Sequence, residues 1–343
     1  MPARKRPRRA ETPVEQDEDP ASISEHTDVS PAELPTMEIL SVEEAFKPGS
    51  EGDPNDVVYD HTKMSVEFST GGLAYTIINE PISSVEVGTV LDLGHLSDTA
   101  IPSEGLEHKF AAALANHLEL PSDQQLVLVH IPEEAVFPKL SSSLTKAPDS
   151  IIQYCYIKRP CFSGYEADDE NQNRVREVIL QEAKICEILN QNPHPNIAKY
   201  WGCKVANDRI LGLYFGKYVM TLQERIESRV PFDVQHCLKG IKNGILHLHS
   251  LGLIHNDINP TNIMLDPSDN PVIIDFDACT AEGGKLLKGG TPFWDLEFTE
   301  DASRKNDLSG LSKLEEWLDV PPEYEGCLCM ACNRGMPQDF KFD

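Results

Sequence analysis

The stretch His255-Asn256-Asp257-Ile258-Asn259-Pro260-Thr261-Asn262-Ile263-Met264-Leu265, followed by Val272-Ile273-Ile274-Asp275-Phe276-Asp277, decides the reading of this chain. Its apolar triplets, Ile263 to Leu265 and Val272 to Ile274, read as short strands, and the polar residues Asp266 to Asn270 read as the turn of a hairpin between them. A hairpin brings its strand ends together, so Asp257, Asn262 and Asp275 converge although the chain separates them. Taken singly, each has an ordinary use, an Asn as a cap or an Asp in a turn. In this order and in this strand and loop context they read as a site.

The residue types point to one chemistry. Phosphoryl transfer needs a carboxylate to orient the incoming hydroxyl and oxygen ligands to hold Mg²⁺ on the phosphates. Mg²⁺ takes a few hard oxygens from carboxylate or amide and keeps several waters. Asp257 is therefore the candidate base, and Asn262 and Asp275 are the candidate Mg²⁺ ligands. Upstream, Lys158 ends a strand-like run from Ile151, and Pro160 stops it. The helix predicted from Asn173 to Leu189 has Val175, Val178, Ile185 and Leu189 on one face, and Glu182 falls on that same face. An inward carboxylate is costly unless paired. Lys158 is its natural partner, and a lysine held this way presents its ammonium to phosphates.

The rest of the chain bounds the answer. Its 343 residues carry 30 Lys+Arg against 56 Asp+Glu, a net charge of −26. That balance argues against nucleic acid or an anionic membrane as a partner of the whole body. No apolar run is long enough for a membrane helix, and the charged N-terminus lacks a secretory core. The nine cysteines are scattered and odd in number, which fits a reducing, intracellular compartment. Residues 1–62 read as a disordered acidic tail, low in aromatics and rich in Pro, Ser and Glu. Its basic start, Arg4-Lys5-Arg6-Pro7-Arg8-Arg9, is similar to a nuclear import signal, so the expected location is cytoplasmic or nuclear. Residues 63–135 read as a small mixed α/β segment: a hairpin of Met64 to Thr70 and Leu73 to Asn79 across Gly71-Gly72, a helix from Leu106 to Leu120, and a strand from Gln125 to Ile131. The segment either packs on the residues beyond 135 or stands alone. Cys327, Cys329 and Cys332, in the tail 321–343, lack a fourth ligand for zinc and read as free thiols.

The order Lys158, Glu182, His255-Asn256-Asp257, Asn262, Asp275 resembles the protein-kinase family. Pro193-His194-Pro195-Asn196-Ile197 is similar to the turn after that family's regulatory helix. Gly290-Thr291-Pro292-Phe293-Trp294 resembles the end of an activation segment, and Asn306-Asp307-Leu308 the start of the large lobe's central helix, where an Asp braces the catalytic loop. More narrowly, His255–Leu265 with Val272–Cys279 is similar to a group of kinase-like proteins of filamentous fungi. The resemblance implies an α+β, bilobal fold over residues 136–320 with a shortened C-terminal lobe, and Mg-ATP between the lobes. It implies a protein substrate bearing Ser or Thr, with Lys158 and Glu182 at the α/β-phosphates. Phe215 and Lys217, with Tyr214, fall where that family's adenine-contacting hinge lies.

The departures are part of the reading. Asn256 stands where the family has Arg, which argues against activation by loop phosphorylation. Asn259 stands where the family's catalytic loop has Lys, so at this catalytic position an amide replaces a charge. Asp277 replaces a Gly. A Gly-rich phosphate loop is missing, and Leu140-Ser141-Ser142-Ser143-Leu144 is the nearest segment at a suitable distance to replace it. Two other outcomes are therefore carried: a small-molecule phosphotransferase similar to choline or aminoglycoside kinases, and a pseudokinase acting as a scaffold.

Overall fold

In the computed structural model, which describes residues 35–48, 57–69, 71–82, 86–92, 106–121, 125–162, 164–165, 167, 172–291, 294 and 301–319, the hairpin across Gly71-Gly72 is part of a larger sheet. Strands β1 (Thr36–Pro48), β2 (Val57–Phe68), β3 (Leu73–Ile78), β4 (Val90–Asp92) and β5 (Val129–Ile131) run antiparallel in the order β4-β1-β2-β3-β5. Gly71 and Gly72 turn the chain at φ of 90° and 107°, a region that side chains avoid. Helix α1 (Leu106–His117) lays Phe110 and Leu114 on Met37, Ile39, Met64 and Val66 of this sheet. The expected disorder through residue 62 is thereby corrected, because β1 and the first half of β2 lie inside that span. The signal was thin because Met37 and Ile39 bury alternate positions with the acidic Glu38 between them.

The other face of the sheet settles the packing of this segment. Leu73, Tyr75 and Ile131 pack with Phe137, Phe162, Tyr165 and Val175, all downstream of residue 135. The buried Lys63 donates to the carbonyl of Tyr165 and lies 4.5 Å from the Tyr75 ring centroid. A short helix α2 (Glu133–Val136) leads onward from β5.

The next sheet is built from β6 (Cys155–Lys158), β7 (Tyr200–Ala206) and β8 (Arg209–Gly216), in the order β6-β8-β7, and helix α3 (Arg174–Gln191) packs against it. The strand expected from Ile151 starts only at Cys155; a 3-10 helix over Asp149–Tyr154, entered from Pro148, comes first. The segment Leu140 to Leu144 does not lie over Lys158. Leu140 N donates to Asp208 O, Cys203 N donates to Thr145 O, and Thr145 binds Glu187 of α3, which fixes the segment along β7 and β8. Burial of Leu144 in the core holds it there, so it provides no phosphate cover.

The remaining elements are β9 (Met220–Thr221), α4 (Leu222–Glu227), α5 (Val234–Ser250), β10 (Leu253–Ile254), β11 (Ile263–Leu265), β12 (Pro271–Ile273), β13 (Thr280–Ala281) and α6 (Arg304–Asp319). Asp233 caps α5 through His236 N, and the helix buries the apolar stripe Cys237, Ile241, Ile245 and Leu248. Gly240 lets α5 close onto the β11–β12 hairpin, for a Cβ there would stand 2.5 Å from Pro271 Cγ. Ile273 N donates to Asn196 O and Ala198 N donates to Ile273 O, a seam that joins the α3–β7 turn to this hairpin two residues before Asp275. Among the described residues no helix is long and apolar enough to cross a membrane. The basic cluster Arg4 to Arg9 and the cysteines 327, 329 and 332 lie outside the described residues.

Candidate active site

The loop between β10 and β11 is hung from one buried carboxylate. Asp307 of α6, fully buried, accepts from His255 N (3.0 Å), Asn256 N (2.8 Å) and His249 Nε2 (2.8 Å). His255 Nε2 donates to Ile274 O while its Nδ1 accepts from Asp257 N, a pairing that fits the neutral ring with its proton on Nε2. Beyond it, both oxygens of Asp257 are occupied. Oδ1 accepts from Asn259 Nδ2 (2.9 Å) and Thr291 N (2.8 Å), and Oδ2 from Asn262 Nδ2 (2.8 Å) and Thr291 Oγ1 (3.1 Å). These donors fix the carboxylate toward the segment that brings Thr291.

Lys158 forms the second centre. Its Nζ donates to Glu182 Oε1 at 2.8 Å and Asp275 Oδ1 at 2.6 Å, and lies 3.4 Å from Asp277 Oδ2. Glu182 Oε1 also accepts from Phe276 N, and Phe276 is fully buried, so α3 and the end of β12 are locked together. Burial opposes the charge on Lys158, but Glu182, Asp275 and Asp277 overcome it and hold the ammonium well above its ordinary range. Burial likewise opposes ionisation of Asp275, and Lys158 and Lys288 overcome it, holding its carboxyl well below the usual carboxylate range. For Glu182 burial wins, and its carboxyl is pushed up to about 7 against the pull of Lys158.

Residues 163–292 match the family model of the protein kinase domain. The chain carries a protein-kinase-like domain. It is 29% identical over 145 residues to the MAP kinase kinase kinase SSK2 of Saccharomyces cerevisiae, covering 41% of this chain and 9% of that protein. It is 26% identical over 169 residues to the mitogen-activated protein kinase kinase kinase YODA of Arabidopsis thaliana, covering 45% and 19%. To the serine/threonine-protein kinase shk2 of Schizosaccharomyces pombe it is 33% identical over 128 residues, covering 35% and 21%. The chain therefore spans less than a quarter of the length of these relatives. The family match begins after Lys158, and the geometry adds that residue to the kinase-like site.

Within this kinase-like site the expected residues fall into groups. Lys158 and Glu182 pair as the sequence predicts and Asp275 joins them through Lys158 Nζ, while Asp257 and Asn262 form the neighbouring pair. Asn262 spends its Nδ2 on Asp257 O and Oδ2, which leaves its Oδ1 lone pairs to give. With the ionised Asp275, that oxygen makes a hard donor set of the kind Mg²⁺ takes beside phosphate oxygens. Among the described residues, no group of three or more His, Cys, Asp or Glu is arranged to hold a metal.

Asn259, expected to be catalytic, is fully buried. Its Oδ1 accepts from Thr261 N, Thr261 Oγ1 and Asn262 N, and its Nδ2 donates to Asp257 and Thr291 Oγ1. Its hydrogen-bonding capacity is used up inside the loop, so it is a positioning residue. Phe215 packs in the core, 5.7 Å from the Tyr200 ring, and Lys217 is exposed with Nζ 3.5 Å from Gln153 O. Neither joins the Lys158–Asp275 cluster. Asn256 takes the left-handed conformation at φ 64°, which Asn tolerates, and its amide ties Ile254 O, Ala278 O and Asn306 together.

In the sequence, Asp277 stands out only as a departure from Gly, and nothing marks Lys288. Lys288 Nζ lies 2.7 Å from Asp277 Oδ2, and both residues line, with Lys158 and Glu182, a cavity of about 270 Å³ beside α3. No motif marks Lys288, because its role comes from the fold of the segment before Thr291.

Proposed function

We propose that this chain is an ATP-dependent phosphotransferase that moves the γ-phosphate of Mg-ATP to the hydroxyl of a protein Ser or Thr. The observation that carries the reading is the Asp257 carboxylate, fixed by Asn259, Asn262 and Thr291 beside the Lys158–Glu182–Asp275 cluster. Asp257 orients the acceptor hydroxyl and takes its proton. Lys158, steadied by Glu182, binds phosphate oxygens. Asp275 and the Oδ1 of Asn262 hold the Mg²⁺, which when bound offsets the phosphate charge. The names of the relatives, all kinases and one of them a serine/threonine kinase, support the choice of acceptor. The narrower likeness to kinase-like proteins of filamentous fungi belongs to the same reading.

The test is incubation of the full chain with γ-labelled Mg-ATP, protein acceptors and small-molecule alcohols. Label on Ser or Thr supports the proposal, and label only on small alcohols moves the activity to the choline-kinase-like class. One observation favours a scaffold instead: β6 is an edge strand, and the segment Leu140 to Leu144 lies along β7 and β8, so no strand pairs with the outer edge of β6 among the described residues. ATP with Mg²⁺ that leaves the melting temperature unmoved favours that scaffold.

A further inference from the structure

The segment from Lys288 to Thr291 links the two centres of the cleft. At its end Thr291 holds Asp257 through N and Oγ1. At its start Lys288 binds Asp277 Oδ2, the same oxygen that lies 3.4 Å from Lys158 Nζ. Three residues of extended chain span at most about 10 Å, so Lys288 is held within reach of both the metal-side carboxylate and the acceptor-side one.

The charges around it are unbalanced for a polyanion. Glu182, Asp275 and Asp277 surround the Lys158 ammonium, Asp257 lies at the Thr291 end of the segment, and the ammoniums among them are Lys158 and Lys288. Arg159 and Arg174, which line the same cavity, are engaged by Glu67 and by Leu287 O. A triphosphate brings further negative charge, Asn259 is neutral and buried, and no strand pairs with the outer edge of β6 among the described residues. Lys288 is not sealed in its ion pair: its side chain is 44% exposed, and it lines the same cavity as Lys158. The next residue is Gly289, where an added Cβ would meet nothing within 4 Å and where the residue type itself permits a wide range of backbone angles.

We propose that Lys288 is a phosphate-binding residue of the cleft, a second ammonium that grips the terminal phosphates of a nucleoside triphosphate together with Lys158. This rests on the phosphotransferase reading above. Asp277 serves as the pivot: it holds both ammoniums in place, and Lys288 swings from it onto phosphate oxygens when the nucleotide enters. Lys288 then supplies, from the segment before Thr291, a charge that the buried amide of Asn259 does not.

The experiment is calorimetric titration of the full chain with ATP, ADP and AMP in Mg²⁺, for wild type, Lys288→Met and Lys288→Arg, with melting temperatures taken alongside. Loss of one charge-assisted contact weakens ATP binding about tenfold in Lys288→Met. AMP binding stays within about twofold, because AMP does not reach the site. Lys288→Arg, which keeps the charge, recovers most of the ATP affinity. Unchanged ATP affinity in Lys288→Met overturns the proposal and leaves the phosphotransferase reading standing. Equal losses for ATP and AMP also overturn it, since they mark a structural role. A wild type that binds no ATP overturns the phosphotransferase reading itself, and this proposal with it.

Discussion

The ammonium of Lys158 lies 2.6 Å from Oδ1 of Asp275, 117 residues further along the chain. This contact joins β6 to the end of the β11–β12 hairpin, so the strand sheet and the helical part meet at the proposed phosphate site. Replacing Lys158 with Met leaves Glu182 and Asp275 without their bonded cation and Asp277 with Lys288 alone. Breaking one side of a buried ion-pair cluster costs about 3–5 kcal/mol. The expected outcome is a lower denaturation midpoint with an unchanged slope, together with loss of nucleotide binding.

Glu182 sets a pH dependence. Burial, opposed by Lys158, raises its folded pKa to about 7, above the unfolded value of about 4.3. A raised folded pKa contributes stability that is fully present below the unfolded value and is lost as pH rises through the folded value. The wild type therefore loses melting temperature relative to Glu182→Gln between about pH 5 and about pH 8. Parallel melting curves for the two proteins across that window contradict this assignment.

Asp307 holds the loop that carries Asp257. Asp307→Ala strands the buried N–H groups of His255 and Asn256 and the ring of His249. Each unsatisfied buried donor costs about 1–3 kcal/mol, so the variant loses at least about 3 kcal/mol. Chemical denaturation measures it, and a loss under about 1 kcal/mol counts against the role.

Gly310 on α6 touches the same loop from below. An added Cβ stands 2.5 Å from Ile258 O, one residue from Asp257. Gly310→Ala must push that loop or tilt α6, at a cost of about 1–3 kcal/mol. Phosphoryl transfer is expected to fall more than stability does, since the displaced residue adjoins Asp257, the proposed base. Kinetics and melting temperature on one preparation compare the two.

The site was legible where residue type and local pattern coincide. The hairpin with Asp257, Asn262 and Asp275 announced itself by its strand and turn chemistry, and Glu182 by its place on an apolar helical face. What escaped depends on contacts between distant segments. Thr145 paired with β7 removed residues 140–144 from any role over the phosphates. Asn259 became a buried strut because Thr261, Asn262 and Thr291 surround it, which no spacing rule reveals. In β1, an acidic residue between Met37 and Ile39 hid a period of two inside a composition typical of disorder.

Transfer of phosphate, with Asp257 as the group that orients the acceptor, is the central claim. The most direct measurement is the rate of label transfer from γ-labelled Mg-ATP by wild type and by Asp257→Asn, on preparations with matching nucleotide affinity. The expected result is measurable transfer by the wild type and a fall of about a hundredfold or more in the variant, with ATP still bound. Equal rates in the two proteins, or ATP binding without any transfer by the wild type, contradict it.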